Sequence, residues 1–283
     1  MLTRGFTGVG LGLRRPHIEE IAAWPEHSVP FWEIAPENVI GDGGTRHRQT
    51  LEILARDPVL THGLTLSIGG YDPWDPEYLR ELRGFLEATR TPWHSEHLCF
   101  TTVDGANTHE LLPIPFTKAA ARNAVDRVQR LQSEFPVPLV LENITYYAEL
   151  GASEMSELDF LTTVLEGADC GWLLDVNNVY VNSLNWGFDP IQWLERASLQ
   201  RVVQMHIAGH SRAGEVAIDS HGTTVIDPVI ELMQWVLRKI QRSVPVLLER
   251  DQHIPDLNAL LLEREKLQEA YDKALTKTEV AHA

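Results

Sequence analysis

Short, unbroken apolar runs recur along the chain, separated by longer stretches in which apolar residues return every three or four positions. The runs are Phe6–Leu11, Pro30–Ala35, Pro58–His62, Pro92–Leu98, Val137–Glu142, Gly171–Val176, Arg201–His206 and Val244–Glu249. They are continuous rather than alternating, the pattern of strands covered on both faces of a parallel sheet. Between them the spacing predicts helices over His17–Trp24, Thr45–Arg56, Pro76–Thr89, Phe116–Phe135, Glu154–Glu166, Asp189–Ala197 and Pro228–Arg242, with Ile254–Leu275 closing the chain. Asp-Pro pairs at Asp75–Pro76, Asp189–Pro190 and Asp227–Pro228 supply an N-cap followed by the one residue that needs no amide donor in a first helical turn.

Eight strand–helix units follow one another without a Pro/Ser-rich linker, low-complexity tract or tandem repeat. They predict a single α/β domain over residues 1–283: a closed (β/α)8 TIM barrel over about 6–251, with a closing helix over about 254–277. An open doubly wound sheet is the alternative, but "GVGLGL" lacks the Gly-x-Gly-x-x-Gly spacing of a dinucleotide loop.

Composition narrows the partners. With 24 basic and 40 acidic residues the net charge is −16, which repels phosphate backbones and argues against nucleic acid. No stretch reaches the ~18 apolar residues of a membrane span, and "MLTRGFTGVGLGLRRPH" reads as a first strand rather than a signal peptide. Two cysteines, Cys99 and Cys170, cannot build a disulfide framework, which suits a reducing cytoplasm. They cannot build a thiolate zinc site either, so any metal must take nitrogen and oxygen ligands.

In such a barrel, chemistry gathers at the C-terminal ends of the strands. Six successive ends deliver a candidate ligand: His62, then His97 (beside His94 and Glu96), Glu142, Asp175, His206 and Glu249. Three carboxylates gathered at one opening need a cation to neutralise them. Imidazole with carboxylate suits zinc, iron or manganese. Asp219 and His221, two apart on an extended segment, point the same way and can grip one ion together, with Asn178 nearby. Nine ligands exceed what one ion takes, so two or three ions are expected, with Glu142 as the bridge. His210, Asn143 and Glu37 are expected beside the site or as additional ligands.

Other motifs carry less. "GHSRAG" has one residue too many for a nucleophile elbow, and there is no Walker loop or His-Glu-x-x-His helix. Trp32, Trp93 and Trp172 are expected in the core, and Cys99 as a small core residue. Glu33, Glu37 and Asn38 end the second strand, where they can line the pocket, with loop hydrogen bonding as the default role.

The ordered set from His62 to Glu249 resembles the trinuclear site of xylose isomerase-like barrels, including the endonuclease IV type, except that Asn178 stands where those nucleases carry histidine. A fuller match is to the multinuclear non-heme iron-dependent oxidative enzymes, the domain of unknown function 692 family. It rests on "GVGLGLR", "FWEIAPENVIGDGG", "THGLTLSIGG", "SEHLCF", "LENI", "LLDVNNVYVN", "HIAGH", "DSHG" and "LLERD", spread over residues 8 to about 251. The chain is similar to the methanobactin-type and 3-thiaglutamate-type oxidases of that family. The resemblance implies an O2-dependent iron oxidoreductase that modifies cysteines of a ribosomally made precursor peptide, with a small partner protein that recognises the leader. It also implies His62, His97 and Glu142 on one iron, Glu142, Asp175, His206 and Glu249 on a second, and Asn178, Asp219 and His221 on a third. A zinc or manganese isomerase or hydrolase acting on a sugar or phosphodiester is the alternative function, and a metal store without catalysis a third.

Overall fold

The computed structural model describes residues 5–280; the expected single domain also includes positions outside that span. Twelve strands lie in chain order: β1 Val9–Gly12, β2 Trp32–Ile34, β3 Val59–Gly63, β4 His94–His97, β5 Phe100–Val103, β6 Ala106–Leu112, β7 Leu139–Glu142, β8 Gly171–Asp175, β9 Val202–Ala208, β10 Ser211–Ala213, β11 Val216–Ile218 and β12 Val246–Glu249. Eight of them close a parallel barrel in the order β1-β12-β9-β8-β7-β4-β3-β2. β5–β6 and β10–β11 are separate antiparallel pairs grafted after β4 and β9. The open-sheet alternative is therefore excluded.

The predicted helices form the outer ring. Gly44–Arg56, Pro76–Thr89, Lys118–Glu134, Glu157–Gly167, Asp227–Ile240 and Leu257–Val280 each lie within a few residues of the expected span. Their caps follow the sequence signals: Asp75 accepts from the Glu77 amide, Thr117 from Ala120 and Ser156 from Asp159. Two departures have local causes. The helix Val176–Trp186 begins directly at the end of β8, where the Asp175 side chain caps the Asn178 amide. Its Asn and β-branched residues have low helix propensity, which hides it from a spacing argument. The two hairpins interrupt the strand–helix alternation and carry short, mixed sequences that the apolar-run criterion passes over. No described helix is long and apolar enough to cross a membrane.

The barrel interior is layered. Its lower half is an apolar plug of Phe31, Leu60, Trp93, Val140, Leu173, Val203 and Leu247, with Phe6 packed beneath it. Trp93 and Trp172 are fully buried, as is Trp32, whose indole donates to Asp57. Above the plug the inward positions turn polar: Glu33, Gln204, His62 and His206, then Glu142, Asp175, His97 and Glu249, all buried. The switch from apolar to ionisable within single strands places the chemistry at one level.

Candidate metal centre

β3 and β4 pair so that His62 neighbours Ser95, and β4 and β7 so that His97 neighbours Glu142. Residues paired across a parallel ladder share a face, so these side chains meet inside the barrel. His62 Nδ1 lies 2.9 Å from Ser95 Oγ, which donates onward to the Thr61 carbonyl. His97 Nδ1 donates to the Gly63 carbonyl at 3.2 Å. Each ring thus spends Nδ1 on the scaffold and turns Nε2 inward, the usual way a ligating imidazole is fixed. The two Nε2 atoms are 3.2 Å apart, and Glu142 Oε2 is 3.1 Å from one and 3.5 Å from the other.

The second group shares Glu142. His206 Nδ1 lies 3.4 Å from Glu142 Oε1 and 3.1 Å from Glu249 Oε2, and Asp175 completes a set whose ligand atoms all fall within 4.8 Å of one another. A third group, His221, Glu249 and Asp251, meets the same test and shares Glu249 with the second. Glu142 is thus common to two groups.

Four buried atoms facing this region, Glu142 Oε2, Asp175 Oδ2, His206 Nδ1 and His221 Nε2, lack an aligned hydrogen-bond partner; three of them lie only at ion-pair distance from a facing imidazole or carboxylate. Buried polar atoms are rarely left so, and here they converge. The charges of the metal-free groups tell the same story. Burial opposes a proton on His62, but the facing Glu142 carboxylate overrides it and lifts the ring to about 9. For His97 burial prevails, reinforced by the charge on His62, and its pKa falls to about 4. Burial, then the Glu142 and Asp219 charges, push Asp175 well above the usual carboxylate range. A divalent cation can replace these protons.

The expected site residues divide. His62, His97, Glu142, Asp175, His206, His221 and Glu249 fall into the three groups. Asp219 Oδ1 sits 2.6 Å from His221 Nε2, on the face of the ring away from Glu249 and Asp251. Asn178 departs from expectation. Its Oδ1 accepts from Thr145 Oγ1 at 2.7 Å and its Nδ2 donates to the Asn143 carbonyl at 3.0 Å, so both ends of the amide are spent on the scaffold. The helix turn that starts at Asp175 instead directs Asn177 to the mouth, where Nδ2 donates to Asp219 Oδ1 at 2.7 Å. His210 joins none of the three groups; its Nδ1 lies 2.9 Å from Asn177 Oδ1 and its ring packs against Tyr180. Asn143 brackets Asp175, accepting from its amide and donating to its carbonyl. Glu37 lies apart: one oxygen receives Leu64 N, Thr65 Oγ1 and Tyr78 Oη and so staples the loop after β3. Cys99 is buried, and burial with the Glu96 charge keeps its thiol protonated.

Four further residues, none assigned as a ligand from the sequence, lie here. Glu33 is inside the barrel, 3.0 Å from His206 Nε2. Gln204 links Glu33 to the Trp93 indole, accepting from that indole at 2.8 Å. Asp251 joins the third group, and Arg14 pairs with both Asp251 and Glu249. The signal for Glu33 and Gln204 was present: Glu33 is the polar residue of β2, and Gln204 alternates with His206 in β9, so the latter two share one face. Asp251 lies beyond a strand end and Arg14 beyond the first strand, where polarity is ordinary.

A cavity of about 430 Å³ opens above these atoms, walled by Arg14, Thr65 and Thr101 and by Asn107, His109 and Leu111 of β6. It is large enough for a few residues of an extended chain, and the plug closes it from below.

Residues 8–272 match the family model described as "RiPP precursor modification enzyme MbnB/TglH/ChrH". A UPF0276 protein of Pseudomonas aeruginosa (strain UCBPP-PA14) is 43% identical over 264 residues, covering 93% of this chain and 92% of that one. One from Nitrosospira multiformis is 43% identical over 256 residues, covering 90% of each. Among solved structures, a xylose isomerase domain protein from Alicyclobacillus acidocaldarius superposes with a TM-score of 0.61 at 15% identity, covering 95% of this chain and 99% of that one. An L-ribulose 3-epimerase gives 0.60 at 12% identity, covering 98% of each. These two likenesses are of fold alone.

Proposed function

The chain belongs to the MbnB/TglH/ChrH family of RiPP precursor modification enzymes, and from that premise we propose that it oxidises cysteine residues of a ribosomally made precursor peptide, using iron and O2. The observation that carries the reading is the sharing of Glu142 between two buried ligand groups. One carboxylate common to two sites holds two ions close together, an arrangement suited to redox chemistry on one substrate atom. Imidazole and carboxylate ligands without thiolate fit iron, and equally exclude a soft-metal site. Bound there, a pair of iron ions supplies the one-electron chemistry with O2, and the protein supplies position and surroundings.

His62, His97 and Glu142 would hold one ion, and Glu142, Asp175, His206 and Glu249 the other. Ser95, the Gly63 carbonyl and Glu33 fix the three imidazoles, so each ring keeps one orientation whether or not an ion is bound. The apolar plug keeps water from the lower side. The cavity admits an extended peptide from the other side and lets one cysteine side chain descend to the level of Glu142. A small companion protein that holds the peptide leader belongs to this reading, as does a cytoplasmic setting.

The test is direct. Protein purified and iron-loaded without oxygen is mixed with a cysteine-bearing peptide encoded beside its gene, exposed to O2, and followed by mass spectrometry. An O2- and iron-dependent mass change at cysteine is expected. Zinc in place of iron, or an unmodified peptide, sinks the proposal.

A further inference from the structure

The third ligand group differs from the other two in having a fixed cation beside it. Arg14 Nη2 is 3.6 Å from Glu249 Oε1 and pairs more closely with Asp251 Oδ1. Those are the outer oxygens: the inner ones, Glu249 Oε2 and Asp251 Oδ2, face His221 Nδ1 at 3.4 and 2.9 Å. Arg14 therefore partly neutralises two of the three ligands without occupying the position between them. The chain makes room for it, because a Cβ on Gly12 would come within 2.7 Å of Arg14 Nε. No Arg or Lys pairs with Glu142 or Asp175 among the described residues.

Resting on the metal reading above, we propose that Arg14 sets the metal stoichiometry of this chain. It holds the His221–Glu249–Asp251 position as a weak, exchangeable site while the two positions sharing Glu142 bind tightly. Charge counting supports this. Glu33, Glu142, Asp175, Asp219, Glu249 and Asp251 are six carboxylates in one region. Two divalent ions leave two negative charges over, the number a third divalent ion would balance. Arg14 removes one of them in advance, so a third ion would leave an excess positive charge next to the buried pair, at a position whose ligands run from buried Glu249 to exposed Asp251.

The experiment is an anaerobic titration of chelator-stripped protein with Fe2+, read by equilibrium dialysis and elemental analysis rather than by activity. Wild-type protein is expected to take two tight equivalents and a third weak one. Arg14→Gln should tighten the third by about tenfold or more, leaving the first two unchanged. Asp251→Asn should abolish the third in either background, which ties it to this group. Were Arg14→Gln to fold poorly, Gly12→Ala, which displaces the guanidinium while leaving Arg14 in the chain, should shift the third equivalent the same way. A third equivalent unchanged or weakened in the folded variant overturns the proposal. Fewer than two tight equivalents in wild-type protein would instead remove the metal reading on which it rests.

Discussion

Glu33 Oε1 lies 3.0 Å from Nε2 of His206, on the side of the ring opposite Glu249. The carboxylate holds a proton on Nε2, so Nδ1, which faces Glu142 and Glu249, is the nitrogen that would give up its proton to an ion, and Gln204 holds Glu33 in turn. Replacing Glu33 with Gln keeps the shape but removes the charge that fixes the tautomer. Outer residues of this kind are worth about 10- to 100-fold in metal affinity. Glu33→Gln should weaken one of the two tight equivalents by that factor and leave the circular dichroism spectrum unchanged. Equal affinities in variant and wild type would show that Glu33 serves packing alone.

Glu142 belongs to two groups and His97 to one. Glu142→Ala should therefore cost both tight equivalents, whereas His97→Ala should cost one. Elemental analysis of the reconstituted variants separates the outcomes. Loss of a single ion in Glu142→Ala would mean that the groups are independent.

Ion binding at the first group should depend on pH in a definite direction. His62 carries its proton below about 9 and must lose it to ligate. Affinity for the ion should then rise by about tenfold per pH unit from 7 towards 9 and flatten above. Each ion bound near neutrality should release a proton, detectable by titration calorimetry in buffers of different ionisation enthalpy. A flat affinity across that range would contradict the assignment.

Glu96, next to His97 in β4, supplies a check on stability. Burial, with the Glu37 charge, raises it to about 8, against about 4.3 for an unperturbed Glu. Between those values the folded state holds one more proton than the unfolded, so stability falls as pH rises through that window. In chelator, Glu96→Gln should lose this part of the slope, so that its stability relative to wild type improves by about 1–3 kcal/mol between pH 5 and 8. Parallel denaturation curves at both pH values would count against it.

The two asparagines should behave differently. Asn178→Ala removes two buried hydrogen bonds and should cost about 1–3 kcal/mol of stability with metal content unchanged. Asn177→Ala frees Asp219 and His210 and should alter the mouth with little effect on the melting temperature. Loss of an ion in Asn178→Ala would restore it as a ligand.

The barrel was legible because doubly buried strands leave unbroken apolar runs, a pattern that loop length and helix propensity cannot mask. The strand-end cluster was legible because ionisable residues at His62, His97, Glu142 and His206 interrupt those runs at one level. Pairwise geometry was not. Whether Asn177 or Asn178 faces the mouth depends on where the helix after β8 starts, and Asp175 fixes that by capping. Glu33 and Arg14 were obscured for another reason. A polar residue near a strand end reads as loop chemistry until the register of its neighbours places it across the barrel from its partner, as Glu33 is from His206.

The apolar plug makes the barrel a vessel with one door. Phe31, Trp93 and their neighbours shut the lower end, so ions, small molecules and peptide must all pass the same rim beneath β6. Loading therefore has an order: an ion that is to serve a peptide must arrive before it. A seated peptide would cork the vessel, so metal exchange should slow sharply for as long as the substrate stays in place.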